Sequence, residues 1–173
     1  MLHFYLKVKY RIIELENFSG PRGAVYSVIL DGSSKTLFDL FLEENKVQYR
    51  KELRSIIDRI RVIGLKTGAR EQFFKIYEGK PGDGVCALYD EEDSLLRLYC
   101  IRYASIAIIL GGGGPKLKEI SAWQEDKKLS EEVNILTEIS KDISRRILNK
   151  ELEWSYDGRL IGNLNFMENE EDN

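Results

Sequence analysis

Histidine is almost absent from this chain: one residue, His3, in 173. A Ser/His/Asp triad or a histidine-ligated metal would have to use it, yet it falls near a free end, on the polar face of an expected strand. Cysteine is nearly as scarce. Cys86 and Cys100 cannot build a disulfide framework or a closed zinc site. The expectation is therefore reduced thiols, no metal, no cofactor and a cytoplasmic setting. No apolar run approaches the roughly 18–20 residues of a membrane span. The opening MLHFYLKVKY has no apolar stretch following a basic start, so neither a membrane partner nor secretion by a signal peptide is expected. The hydrophobic fraction, 43%, excludes disorder throughout, and the length suits one domain.

Charge is uneven along the chain. The formal net charge is −3, but residues 46–80 carry ten basic side chains against four acidic ones. The acidic excess lies in Asp90–Asp93 and in the tail Glu168, Glu170, Glu171 and Asp172. Such asymmetry suits a surface that faces a polyanion, although a solvated helix face has the same composition.

Residues 2–13 alternate between apolar and polar, as in a half-buried strand. Gly20, Pro21 and Gly23 supply a turn, and AVYSVILDG reads as a returning strand, so 2–31 is expected to be a hairpin. Thr36 or Ser34 can cap a helix carrying Leu37, Leu40 and Phe41. A second helix over about 46–64 buries Leu53, Ile56, Ile57, Ile60 and Ile63 and presents Arg50, Arg54 and Arg61 elsewhere. Residues 70–78 read as a short helix, followed by the Gly79–Gly84 loop. Three apolar runs, 85–90, 95–102 and 105–111, predict an antiparallel meander that ends at Gly111–Pro115. The spacing of Leu129, Val133, Leu136, Ile139, Ile143 and Ile147 predicts a helix over 129–148 with Ser130 as cap. Residues 151–165, with Asp157-Gly158, read as a small hairpin docking on the first one, and 167–173 as a disordered acidic tail. Together these elements predict a single domain, 1–166, that mixes helices with strands.

Several residues carry chemistry. Gly111–Gly114 follows a strand as a phosphate loop does, but lacks the Gly-Lys-Ser/Thr ending. Cys86 and Cys100 are expected as diagonal neighbours on adjacent strands, where small hydrophobes belong. Arg97 sits inside a central strand, on the same face as Tyr99. Burying it unpaired costs several kcal/mol. It must either meet a carboxylate or face a wet, anion-binding surface.

Two helices with a basic face precede a meander whose central strand reads Leu95-Leu96-Arg97-Leu98-Tyr99. Lys116 and Lys118 follow the last meander strand. Over about 35–126 this order resembles the RelE/ParE superfamily of bacterial toxins, closest to its HigB-like branch. The resemblance implies an α+β fold with a RelE-like core, a small twisted antiparallel sheet packed by helices whose concave face binds RNA, extended here by the N-terminal hairpin and the C-terminal helix. It implies a metal-independent endoribonuclease acting on mRNA at the ribosome, blocked by a cognate antitoxin; the ParE branch targets gyrase instead. Arg97, Lys116, Lys118 and Tyr99 then fall at catalytic positions, with Tyr99 and Tyr103 able to stack on a base. Arg50, Arg54, Arg61, Lys75, Lys80 and Arg102 become RNA-binding candidates. The chain departs from the pattern at Ala87 and Tyr89, where such toxins often carry Lys or Arg. It also offers no evident general base unless a lysine or tyrosine loses its proton unusually easily. A binding or adaptor protein that kept the fold and lost the chemistry is the alternative.

Overall fold

The N-terminal hairpin does not stand apart: it is built into the main sheet. The computed structural model describes residues 8–76, 78–88, 95–116 and 126–168; His3, Lys118 and residues 169–173 lie outside them. Strands β1 (Tyr10–Glu14) and β2 (Ala24–Leu30) pair antiparallel, Tyr10 opposite Leu30. β2 then runs parallel to β6 (Ala107–Pro115), Ala24 opposite Ala107. With β3 (Phe74–Lys75), β4 (Val85–Leu88), β5 (Leu96–Tyr103) and β9 (Asn165–Phe166), these form a seven-stranded mixed sheet in the order β3-β4-β5-β6-β2-β1-β9. The fold is α+β as expected. The sheet is larger than expected and, because of the β2–β6 pair, not wholly antiparallel.

Helices cover both faces. The run AVYSVIL of β2 is apolar on nearly every position because a strand buried on both sides has no solvent face to supply. On one side lie α1 (Leu37–Asn45) and α2 (Arg50–Val62), whose Phe38, Phe41, Ile56 and Ile60 pack on Val25, Leu98 and Ile108. Thr36 caps α1 reciprocally: its hydroxyl accepts from the Asp39 amide at 3.0 Å, and the Asp39 carboxylate accepts from the Thr36 amide at 3.4 Å. On the other side α3 (Lys127–Leu148) lays Leu129, Val133, Leu136, Ile139 and Ile143 on Tyr26, Tyr99, Ile101 and Ile109. Its cap is Asp126, which accepts from the Leu129 amide at 3.2 Å, and not Ser130.

Other expectations need correcting. Residues 71–73 form a single 3₁₀ turn and then give way to β3, where a helix over 70–78 was expected. Phe73 and Phe74 are both buried while Lys75 is exposed, and β3 pairs with Ala87 and Leu88. Cys86 and Cys100 stand directly opposite one another rather than diagonally, with their sulfurs 3.6 Å apart. Burial, and then the neighbouring Cys86 thiol, push the Cys100 thiol well above its ordinary value. β7 (Leu152–Trp154) and β8 (Leu160–Gly162) do form a hairpin docked on the first one. Arg159 pairs with Glu14 at 3.1 Å, and the Leu160 amide donates to the Tyr26 hydroxyl at 3.0 Å. Met167 and Glu168, placed in the expected tail, are described, and the Met167 amide donates to the Asn165 side chain at 3.1 Å. Among the described residues no helix is long and apolar enough to cross a membrane.

Gly111–Gly114 is neither a loop nor a strand exit. All four residues lie inside β6 and are buried. The β5–β6 register shifts between Leu98 and Cys100, so Gly111 and Gly112 bulge opposite Tyr99. A side chain at Gly111 would strike Leu136, and one at Gly112 would strike the Glu132 carboxylate, both on α3. The glycines are there so that the helix can lie against backbone. At Gly113 a Cβ would run into the Arg97 carbonyl of the adjacent strand, which cannot move aside as a side chain does. Gly113→Ala should therefore cost about 2–3 kcal/mol, read as a lowered denaturant midpoint with unchanged m-value. Wild-type stability in this variant would remove the steric account of the glycine run.

Candidate anion-binding site

Period-two geometry brings several sequence-selected residues to one place. Lys75 of β3 stands opposite Ala87 of β4, and Ala87 stands opposite Tyr99 of β5. Side chains two apart on one strand share a face, so Arg97 flanks Tyr99 on the side covered by α3. Lys116 follows the last residue of β6, its amide bonded to the Leu95 carbonyl. It lies within electrostatic reach of Lys75, Arg97 and Glu78. Three cations thus converge from three strands.

Their surroundings differ from those expected. Arg97 is half-buried, and its guanidinium donates to the Leu96 carbonyl at 3.4 Å. Tyr99 is 1% exposed, so it is no platform for a nucleotide base; its ring belongs to the core under α3. Burial pushes its phenol well above the ordinary value, Glu78 adds to this and Arg97 opposes it. Tyr103 packs on Trp154 with ring centroids 4.8 Å apart.

Glu78 was not singled out from sequence. It is 4% exposed, and its carboxylate meets the Lys75 ammonium at 3.4 Å. Its only advance signal was its position three residues after Lys75 in a basic stretch, which reads equally well as a surface pair. Glu132 was also missed. It packs against Gly112, and burial pushes its carboxyl up, with Lys128 opposing. One of its oxygens meets Lys128 at 3.4 Å, while the other is buried without a hydrogen-bond partner among the described residues.

Lys116 has the property that the sequence could not establish. Partial burial, and then the Lys75 charge, lower its pKa; Glu78 works the other way and Arg97 adds to the lowering. Its neutral amine therefore forms at lower pH than that of a free lysine.

The remaining candidates lie elsewhere. Arg50, Arg54 and Arg61 sit on α2, across the sheet from Arg97. Arg61 pairs with Asp58 at 3.5 Å and lies 5.7 Å from the centre of the Phe18 ring. Arg102 is structural: its Nε donates to the Ala69 carbonyl at 2.7 Å, and its guanidinium lies 6.0 Å from the centre of the Phe74 ring. Lys80 and Arg102 line a separate cleft of about 300 Å³ beside Asp83 and Cys86. Lys118 lies outside the described residues. Among those described, no group of three or more His, Cys, Asp or Glu side chains could hold a metal ion.

No family model, characterised protein or solved structure matches this chain.

Proposed function

We propose that the chain is a RelE-like toxin of a toxin–antitoxin system, a metal-independent mRNA endoribonuclease that acts at the ribosome and is held in check by a cognate antitoxin. The observation that supports this reading is the convergence of Lys75, Arg97 and Lys116, with the Lys116 ammonium held below its ordinary pKa by partial burial and the Lys75 charge. Lys116 takes the proton of a ribose 2′-hydroxyl. The 2′-oxygen bonds to phosphorus, the bond from phosphorus to the 5′-oxygen breaks, and the departing oxygen takes a proton from water. Arg97 and Lys75 stabilise the negative charge that grows on the phosphoryl oxygens. Cleavage should rise with pH as Lys116 loses its proton.

The test is incubation of the purified chain with mRNA and ribosomes in excess chelator. Fragments ending in a 2′,3′-cyclic phosphate are expected, together with growth arrest when the chain is induced in a bacterium. Intact mRNA in the first assay and normal growth in the second would end the nuclease reading.

One observation favours the alternative, a non-catalytic binding or adaptor protein. The sheet face that carries Arg97 is roofed by α3, and Tyr99 is sealed beneath it. RNA binding without cleavage is its signature.

A further inference from the structure

A carboxylate with 4% exposure beside a cationic cluster is costly unless paired, and Glu78 is paired only loosely, at 3.4 Å, with a lysine whose side chain is 53% exposed. We propose that Glu78 is a positioning residue: its buried carboxylate anchors Lys75 and so divides the two lysines, Lys75 to hold a phosphate and Lys116 to move the proton. This rests on the phosphodiester reading above.

The geometry carries it in three steps. Lys75 is the outermost of the three cations, on the edge strand β3, with the small side chain of Ala87 opposite it. Glu78 is itself fixed, its amide donating to the Val85 carbonyl at 3.3 Å. The carboxylate therefore ties the half-exposed Lys75 ammonium to a fixed turn, near Lys116. Two ammonium groups so placed repel one another, and among the described residues only Lys75 has a carboxylate at ion-pair distance. The lysine without it yields the proton.

Among the described residues, the charged groups around Lys116 are Lys75 from β3, Glu78 from the following turn and Arg97 from β5. Tyr99, Asp126 and Glu132 complete the cluster from β5, the α3 cap and α3. Glu78 favours the charged form of Lys116, while Lys75 and Arg97 oppose it. Two substitutions then move Lys116 in opposite directions. In Glu78→Gln, loss of the anion should shift the pH midpoint of Lys116 down by about half a unit to one unit. In Lys75→Met, loss of the cation should shift it up by a comparable amount.

The readout is competitive acetylation of the folded full chain across pH, with modification at Lys75 and Lys116 quantified by mass spectrometry. Glu78→Gln should also raise the acetylation rate of Lys75 several-fold, because the anchor is gone. Opposite shifts, with melting temperatures close to wild type, support the assignment. Unchanged midpoints in both variants, or shifts of the same sign, overturn it. If Glu78→Gln does not fold, Lys75→Met carries the test alone, and an unmoved midpoint in it is again fatal. Neither measurement needs RNA. Opposite shifts without RNA cleavage would therefore retain the anchoring role and reject the nuclease, whereas cleavage with unmoved midpoints would do the reverse.

Discussion

Asp142→Ala is expected to destabilise the chain by about 3–5 kcal/mol, the scale for removing one partner of a buried ion pair. The Asp142 carboxylate accepts from the Arg146 guanidinium at 2.9 Å, from Arg145 at 2.8 Å and from the Tyr10 hydroxyl at 2.7 Å. Tyr10 is fully buried, and the Arg146 side chain is 8% exposed, its guanidinium 3.9 Å from the centre of the Phe166 ring. One carboxylate therefore ties α3 to β1 and, through Arg146, to β9. Burial pushes this carboxyl up, but the hydrogen bonds from Arg146, Arg145 and Tyr10 outweigh it and leave the pKa below the ordinary aspartate value. The folded form thus binds a proton less readily than the unfolded one. Its contribution is complete above the unfolded value, about 3.9, and is lost as pH falls through the lower folded value. Denaturant titrations from neutral to acid pH should show the wild type losing stability at the acid end. Asp142→Asn should begin less stable and lose less there. A loss under about 1 kcal/mol in Asp142→Ala at neutral pH would show the network to be an ornament of the surface.

Arg97→Ala is the variant that separates chemistry from attachment. If Arg97 meets charge that develops only in the transition state, cleavage should fall about a hundred- to a thousand-fold with little change in RNA affinity. Arg50→Ala with Arg54→Ala should do the opposite. These residues lie on α2, on the far side of the sheet, so any contribution they make is to long-range attraction, and their effect should fade as salt rises. Single-turnover cleavage and equilibrium binding, each at two salt concentrations, make the comparison. Equal losses from both variants in both assays would move the reacting phosphate away from β5.

Period and burial account for how much of this was legible. The helix over 129–148 repeats apolar residues at helical spacing, the strand around Arg97 lies in a short apolar run, the C-terminal hairpin is marked by its Asp157-Gly158 turn, and each is found. The nearness of Lys116 to Arg97 was expected from the period-two placement of Arg97, whereas Lys75, placed in a helix over 70–78, joins them only because β3 forms there. Glycine carries no pattern, so four buried strand positions looked like a loop. Phe73 and Phe74 suited a helix as well as a turn that feeds a strand, and only the pairing with Leu88 decides between them. Glu78 was invisible because a carboxylate in a turn is normally solvated, and its burial is a property of the assembled sheet. Nothing local announces that β2 will lie beside β6.

That last pairing governs how the chain must assemble. Ser27 donates to the Leu110 carbonyl across 83 residues of sequence, and Tyr10 reaches Asp142 across 132. The β1–β2 hairpin therefore has α1 against it early but lacks its neighbouring strand β6 until most of the chain has followed. Loops of that length close slowly, and contacts so distant in sequence place folding toward the slow end of the range for domains of this size. Until β6 arrives, the apolar edge of β2 is open to any other strand. Synthesis, rather than the finished molecule, is where this protein is most exposed to aggregation.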